Sequence, residues 1–307
     1  MLVVPLALLA TNLSAAIVTN PGINRQPGLL VFHLCLLSIV LLAGVGRMTY
    51  FDAHLEITEG QTFSPELLLE VRKGPWHRGD LDEVVYVQGP YTVEYDANMQ
   101  RGLTHSQVWV PGLDGRPVAR DVGDDRPLIL ERYRFYTTHN KGFSPVLTWI
   151  PDAGAPVTGT INMPSYPLFE YKQDNRWTPP ASAEEIKFWL QLETGMTPER
   201  AWILDGRNST GVLVVTSGDR RVELRPGEEV QLERGRLRFE KLTTWMGYRV
   251  FYDPTLQWLF FVSVIGVLGL SHYFWVRLSL KAWAGEGLDD EDDTLRDATS
   301  TEPRGRA

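Results

Sequence analysis

The chain has 307 residues, of which 43% are hydrophobic and 22% charged, and its formal net charge is −8. The acidic balance and the absence of a run rich in lysine and arginine argue against nucleic acid as a partner. A single cysteine, Cys35, excludes an intrachain disulfide and Cys-x-x-Cys redox chemistry. Apolar residues concentrate near the two ends, so we expect a membrane protein with a large extramembrane domain.

The first apolar run, residues 1–19, predicts a transmembrane helix. A signal peptide is the alternative, but no basic segment precedes the run and a second spanning run follows at once, which favours a retained helix. Residues 20–27, NPGINRQP, predict a short loop whose one charge is Arg25.

The second apolar run, residues 28–46, has membrane-spanning length and contains one imidazole, His33. An ionisable side chain in a membrane helix costs free energy and usually faces a partner, a cavity or a cofactor. A neutral imidazole is also a good ligand for haem iron, which makes His33 a candidate ligand. The alternative is a histidine that hydrogen-bonds to a neighbouring helix.

The third apolar run, residues 255–276, carries Trp258 near one end and Tyr273 and Trp275 near the other. Aromatic residues concentrate at the two interfaces of a membrane, so these positions favour a spanning helix. His272 lies near the same end as Tyr273, and we expect it to be a solvated histidine at the interface.

Charge decides the predicted orientation of the helices. The second and third helices bracket residues 47–254, so the loop with Arg25 and the tail with Arg277 and Lys281 must lie on one side of the membrane. The positive-inside rule places that side in the cytoplasm. Residues 47–254 then form a periplasmic domain if the cell is Gram-negative, and residues 277–307 form an acidic cytoplasmic tail, disordered from Gly285 onward.

The domain of residues 47–254 is predicted to be mostly β, because segments rich in β-branched and aromatic residues alternate with Gly, Pro and Asp turns. Two helices are expected within it, one after the N-cap sequence at Ser64 and one after the capping box at Ser182. The predicted strands are Glu83–Val87, Tyr91–Tyr95, Gln107–Val110, Leu128–Tyr136, Val146–Ile150, Gly211–Thr216, Leu237–Leu242 and Tyr248–Tyr252.

The sequence shows no cluster of residues typical of catalysis, and an activity of this chain alone is not predicted. His54, His77, His105 and His139 share no metal-ligand spacing, so each is interpreted as a surface histidine or one with a hydrogen-bond partner.

Three stretches carry a resemblance to a known family. They are FHLCLLSIVLLAGVGRMTYFDAHLEITEGQTF at residues 32–63, INMPSYPLFEY at residues 161–171, and GYRVFYDPTLQWLFFVSVIGVLGL at residues 247–270. Together they resemble the ResB (CcsB) family of membrane proteins from system II cytochrome c biogenesis. The match spans most of the chain, and its most specific parts are the helix with His33 and the Tyr-Asp-Pro sequence before the last helix.

The resemblance implies a haem-delivery and assembly subunit in the bacterial inner membrane. Such a subunit works with a multi-helix partner of the CcsA (ResC) type to export haem b and present it to apocytochrome c, while a thioredoxin-like protein keeps the apocytochrome thiols reduced. The family's intramembrane histidine corresponds to His33, and its haem is held at the cytoplasmic side of the bilayer. Phe32, Leu34 and Leu37 would form an apolar wall for the haem, and the second axial ligand would come from the partner.

The N-terminus departs from the family pattern. Family members generally carry one more helix before the first pair, so we expect either a shortened member or a start codon assigned too late. The alternative function is a membrane-anchored structural subunit of a respiratory complex that no longer handles haem. A periplasmic sensor is a weaker alternative, because the tail shows no recognisable output module.

Overall fold

The structure is a computed structural model that describes residues 3–180 and 184–299, with side chains for 4–180 and 184–279. The chain forms two compact units. We call Met1–Thr49 with Asp253–Ala307 the helical unit, and Tyr50–Tyr252 the β unit.

The helical unit contains α1 (Val3–Thr19), α2 (Pro21–Asn24), α3 (Pro27–Thr49) and α4 (Leu256–Thr299). Of the described helices, α3 and the Leu256–Ser279 part of α4 are long and apolar enough to cross a membrane, whereas the apolar part of α1 is shorter. The segment expected to be a loop contains α2, which forms because Asn20 accepts a hydrogen bond from Gly22 N and Pro21 begins the turn.

Helices α3 and α4 pack antiparallel through small residues. A Cβ atom added at Gly28 would lie 2.5 Å from the carbonyl oxygen of Gly269, and one added at Gly266 would lie 3.1 Å from the Cβ atom of Cys35. Near the other end of α3, a Cβ atom at Gly46 would lie 2.7 Å from Thr255 Oγ1. Small residues let two helix backbones approach closely, which is a common mode of packing in membranes.

The Tyr-Asp-Pro sequence begins α4 by a local hydrogen-bond pattern. The carboxylate of Asp253 accepts hydrogen bonds from Thr255 N at 2.8 Å and from Thr255 Oγ1 at 2.7 Å. A carboxylate in this position accepts hydrogen bonds from N–H groups at the start of the helix, and the positive end of the helix dipole stabilises its negative charge. The helix then continues without interruption to Thr299, so the acidic tail is helical up to that residue rather than disordered. Extension of an existing helix needs no new nucleation. Residues 300–307 lie outside the described residues.

The described part of the β unit consists of antiparallel sheets. A seven-stranded sheet has the order β2-β1-β15-β7-β6, with β14 beside β15 and β8 beside β7, and two four-stranded sheets have the orders β13-β12-β10-β9 and β11-β3-β4-β5. The strands are β1 (Phe51–Thr58), β2 (Leu68–Lys73), β3 (Val87–Tyr95), β4 (Arg101–Pro111), β5 (Pro117–Gly123), β6 (Leu128–Leu130), β7 (Tyr133–Pro151), β8 (Val157–Thr160), β9 (Asp174–Trp177), β10 (Ile186–Glu193), β11 (Trp202–Asp205), β12 (Thr210–Ser217), β13 (Arg220–Leu224), β14 (Glu229–Leu232) and β15 (Gly235–Tyr252).

The long strands β7 and β15 pair along most of their length and form the centre of the large sheet. The first strand of the unit, β1, pairs with the end of β15, so that Phe51 lies opposite Tyr252. Buried aromatic and aliphatic side chains from these strands form the core, including Tyr133, Phe135 and Val250. The mostly-β prediction is therefore confirmed.

Both predicted helices of this region were wrong. At Ser64 the cap forms and its side chain accepts a hydrogen bond from Glu66 N, but the following helix is a single 3₁₀ turn, Pro65–Leu67, before β2. The second predicted helix is instead strand β10, and Ser182 lies outside the described residues. In β10 the side chains of Ile186, Phe188 and Leu190 are buried and those between them are exposed, which is the period of a strand.

Two predicted strands also differ from the structure. The segment Leu128–Tyr136 is a hairpin rather than one strand, because Glu131 and Arg132 adopt positive φ angles of 47° and 68° and reverse the chain. The segment Glu83–Val87 lies mostly outside the sheets and is held by the bond from Phe63 N to the carbonyl oxygen of Tyr86, at 2.9 Å.

Candidate functional site

His33 lies in the first half of α3 and is half-buried. Its Nδ1 atom is 2.8 Å from the carbonyl oxygen of Leu29, one turn earlier in the helix. A carbonyl oxygen can only accept, so Nδ1 carries the proton and donates. In the neutral ring Nε2 therefore keeps its lone pair, which is the arrangement that a metal-binding histidine needs.

Helix geometry places His33 on the side of α3 away from α4. Val31 and Cys35 face α4, because Cβ atoms added at Gly269 and Gly266 would lie 2.9 Å and 3.1 Å from their side chains. His33 is two residues from each of them, a rotation of about 200° around the helix axis. The imidazole is therefore directed to a face that the α3–α4 contact does not use.

The predicted apolar neighbours surround His33 in part. Phe32 meets the imidazole edge to face, with ring centroids 5.6 Å apart and an angle of 87° between the planes. Leu37 follows His33 by four residues, so the two share a helix face, and it is half-buried. Leu34 is 45% exposed. This face offers one nitrogen ligand beside apolar side chains, which fits one axial position of a haem iron and an apolar ring.

His272 is not brought to His33. It is exposed, and its Nδ1 atom would lie 3.1 Å from a Cβ atom added at Gly28, on the α4-facing side of α3. Within the described residues, no three His, Cys, Asp or Glu side chains form a group that could hold a metal ion. A second haem ligand would have to come from outside the described part of this chain.

A cleft of about 510 Å³ lies where α3 begins and the apolar part of α4 ends. We call it the basic cleft, and its polar lining comprises Arg25, Gln26, His272, Tyr273 and Arg277. Among the described residues no carboxylate lines it. Charge analysis of the sequence placed both arginines on one side of the membrane, but it gave no signal that they share a cleft, because that depends on the antiparallel packing of the helices.

Three histidines of the β unit have different polar neighbours. His77 Nε2 is 2.9 Å from the hydroxyl oxygen of Tyr133, and His54 Nδ1 is 3.5 Å from a carboxylate oxygen of Glu70. His139 Nδ1 is 3.0 Å from a guanidinium nitrogen of Arg101, and because arginine only donates, this ring nitrogen accepts. Arg101 together with burial lowers the pKa of His139.

Sequence reasoning missed a buried lysine near this arginine. Lys141 is 1% exposed, and its ammonium lies 3.5 Å from the carbonyl oxygen of His139. Burial, followed by the charge of Arg101, lowers the pKa of Lys141 to about 8. Arg101 also forms an ion pair with Asp124 at 2.5 Å. Burial raises the pKa of Asp124, but hydrogen bonds from Thr137 and Arg101 outweigh it and leave that pKa lowered.

The fold and this site define a protein with a mostly-β unit and, in the part of the chain that is described, two helices with the length and composition of membrane spans. No protein-family model matches the chain, and no curated protein matches it either. The resemblance to the ResB family therefore remains a prediction from the three sequence stretches.

Proposed function

We propose that the protein is a haem-delivery and assembly subunit of a system II cytochrome c synthetase. The observation that carries the proposal is the hydrogen bond from His33 Nδ1 to Leu29 O, at 2.8 Å. It leaves the lone pair of His33 Nε2, within an apolar helix, available to bind iron. Phe32 and Leu37 would hold the porphyrin by apolar contact, and the bound haem b would be a transient cargo.

In this proposal α1, α3 and α4 span the bacterial inner membrane and the β unit lies on the periplasmic side. The orientation is supported by the basic cleft, since Arg25 and Arg277 line it together and positive charge concentrates on the cytoplasmic side of membrane proteins. His33 follows the start of α3 by less than two turns, so its ligand site would open toward the inner leaflet.

The proposed partners follow from the single ligand. A CcsA/ResC-type membrane protein would supply the second axial ligand and bind the α3 face that carries His33. The β unit would contact that partner or the apocytochrome c. A thioredoxin-like reductant would act on the apocytochrome thiols, because the one cysteine of this chain lies within α3.

The test is an absorption spectrum of the detergent-purified protein, alone and coexpressed with its presumed partner. In the coexpressed preparation we expect a low-spin haem signal that is lost in His33→Ala and kept in His272→Ala, the matched control from the same unit. Retention of the full signal in His33→Ala would overturn the role of His33.

The alternative is a structural subunit of a respiratory complex. It is favoured by the separation of His33 from His272, because a low-spin haem iron needs two axial ligands and the described residues bring only one imidazole to the His33 face. A complex that copurifies intact and without haem from both the wild type and His33→Ala would support this alternative.

A further inference from the structure

The basic cleft concentrates positive charge without a matching acid among the described residues. Arg25 and Arg277 come from chain segments about 250 residues apart, and both line the cleft with His272. Arginine forms forked hydrogen bonds that match the oxygens of a phosphate group. The positive charge of the basic cleft is therefore complementary to an anionic ligand.

The cleft is held in shape by its own contacts. The close approach of Gly28 to Gly269 fixes the start of α3 against α4. Arg277 donates a hydrogen bond to the hydroxyl oxygen of Tyr273 at 2.7 Å, and its guanidinium carbon lies 5.9 Å from the centre of that ring. The guanidinium is thereby oriented before any ligand arrives, which lowers the entropy lost on binding.

The position of the cleft identifies the class of ligand. It lies at one end of two apolar helices, and Trp275 and Phe274 beside it are 75% and 50% exposed. Aromatic side chains at a helix end mark the level of lipid headgroups. A basic cleft between membrane helices at that level suits the phosphate of an anionic phospholipid.

We propose that the basic cleft binds the headgroup of an anionic phospholipid. The phosphodiester lies between Arg25 and Arg277, and the acyl chains extend along the exposed apolar side chains of α4. This inference rests on the membrane-anchoring part of the proposed function and is independent of the haem part. The site would tie the cytoplasmic ends of α3 and α4 to the inner leaflet.

The experiment uses the full chain in a mild neutral detergent. Its thermal unfolding midpoint is followed while dioctanoyl-phosphatidylglycerol, dioctanoyl-phosphatidylcholine or inorganic phosphate is added, and the concentration dependence gives Kd. We expect phosphatidylglycerol to raise the midpoint at concentrations where the other two have little effect. An equal response to phosphatidylcholine or to inorganic phosphate would overturn the proposal.

The variant Arg25→Gln/Arg277→Gln is expected to bind phosphatidylglycerol roughly 30-fold more weakly, which corresponds to about 1 kcal/mol for each arginine. The matched control is Arg120→Gln/Arg225→Gln, which changes the net charge equally at two exposed arginines of the β unit. Equal weakening in the control would overturn the proposal. If the first variant lacks a cooperative transition, Arg25→Gln alone is used, with an expected effect of about fivefold.

The outcome is separable from the test of the proposed function. The lipid titration reports on Arg25 and Arg277, whereas the haem spectrum reports on His33. A protein that binds phosphatidylglycerol through the arginines but carries no haem keeps this inference and removes the haem role.

Discussion

Replacement of Lys141 by methionine tests the cost of a buried charge in the β unit. Lys141 is 1% exposed, and methionine has a similar length, so the packing of the stem is largely kept. The pKa of Lys141 falls from 10.5 to about 8 on folding. A shift of this size corresponds to roughly 3 kcal/mol of lost stability while the lysine is charged in both states.

The pH dependence fixes the sign of the effect. Below pH 8 the folded and the unfolded chain both carry the proton, so the full cost applies. Between pH 8 and 10.5 the folded protein releases the proton first, and stability of the wild type rises with pH. We therefore expect Lys141→Met to be more stable than the wild type by up to roughly 3 kcal/mol at pH 7, with the difference shrinking toward pH 10.5.

The assay is denaturant unfolding of the detergent-purified chain at pH 7, 8, 9 and 10, followed by tryptophan fluorescence. All tryptophans except Trp258, Trp275 and Trp283 lie in the β unit, so the signal reports mainly on that unit. The control is Lys187→Met at an exposed position of strand β10, expected to change stability by less than about 0.5 kcal/mol. A destabilised Lys141→Met at pH 7, or a difference that does not vary with pH, would refute the reasoning.

Two further predictions concern packing and charge. Gly28→Ala should weaken the α3–α4 contact and lower the thermal unfolding midpoint, because its Cβ atom would lie 2.5 Å from Gly269 O. The control Gly44→Ala should leave the midpoint unchanged, because a Cβ atom there would meet no atom within 4 Å. Equal midpoints for the two variants would contradict this prediction. Asp52→Asn should cost about 1–3 kcal/mol at pH 7 in denaturant unfolding, since the carboxylate accepts a hydrogen bond from Arg249 at 2.7 Å. That bond lowers the pKa of Asp52, so its contribution is present above about pH 4 and is lost as pH falls through the lowered pKa; a loss of stability that persists unchanged at pH 2 would contradict this.

The sequence predicted the kinds of elements well where a single pattern was strong. Long apolar runs marked α3 and α4, and β-branched segments marked the interiors of β3, β4, β7, β12 and β15. The error at β10 arose from the capping box at Ser182, which is a local signal for the start of a helix. The alternation of Ile186, Phe188, Leu190 and Leu192 already indicated a strand, and Trp189, on the opposite face, is 38% exposed.

The candidate site was only partly readable from the sequence. The rarity of an imidazole in an apolar run was enough to select His33, but its hydrogen bond to Leu29 and its separation from His272 depend on helix rotation. The basic cleft and buried Lys141 depend on contacts between distant segments. No local pattern records those contacts, because the partners are chosen by packing.

The pairing of Phe51 with Tyr252 has a consequence for biosynthesis. One edge of β1 can pair with β2 soon after both strands are synthesised. The other edge stays unpaired until β15 is synthesised, about 200 residues later in the chain. At a synthesis rate of about 5–20 residues per second, that wait lasts on the order of 10–40 s. During this interval an unpaired strand edge is open to wrong partners, so any stall in translation before β15 would leave an aggregation-prone nascent chain tethered to the ribosome.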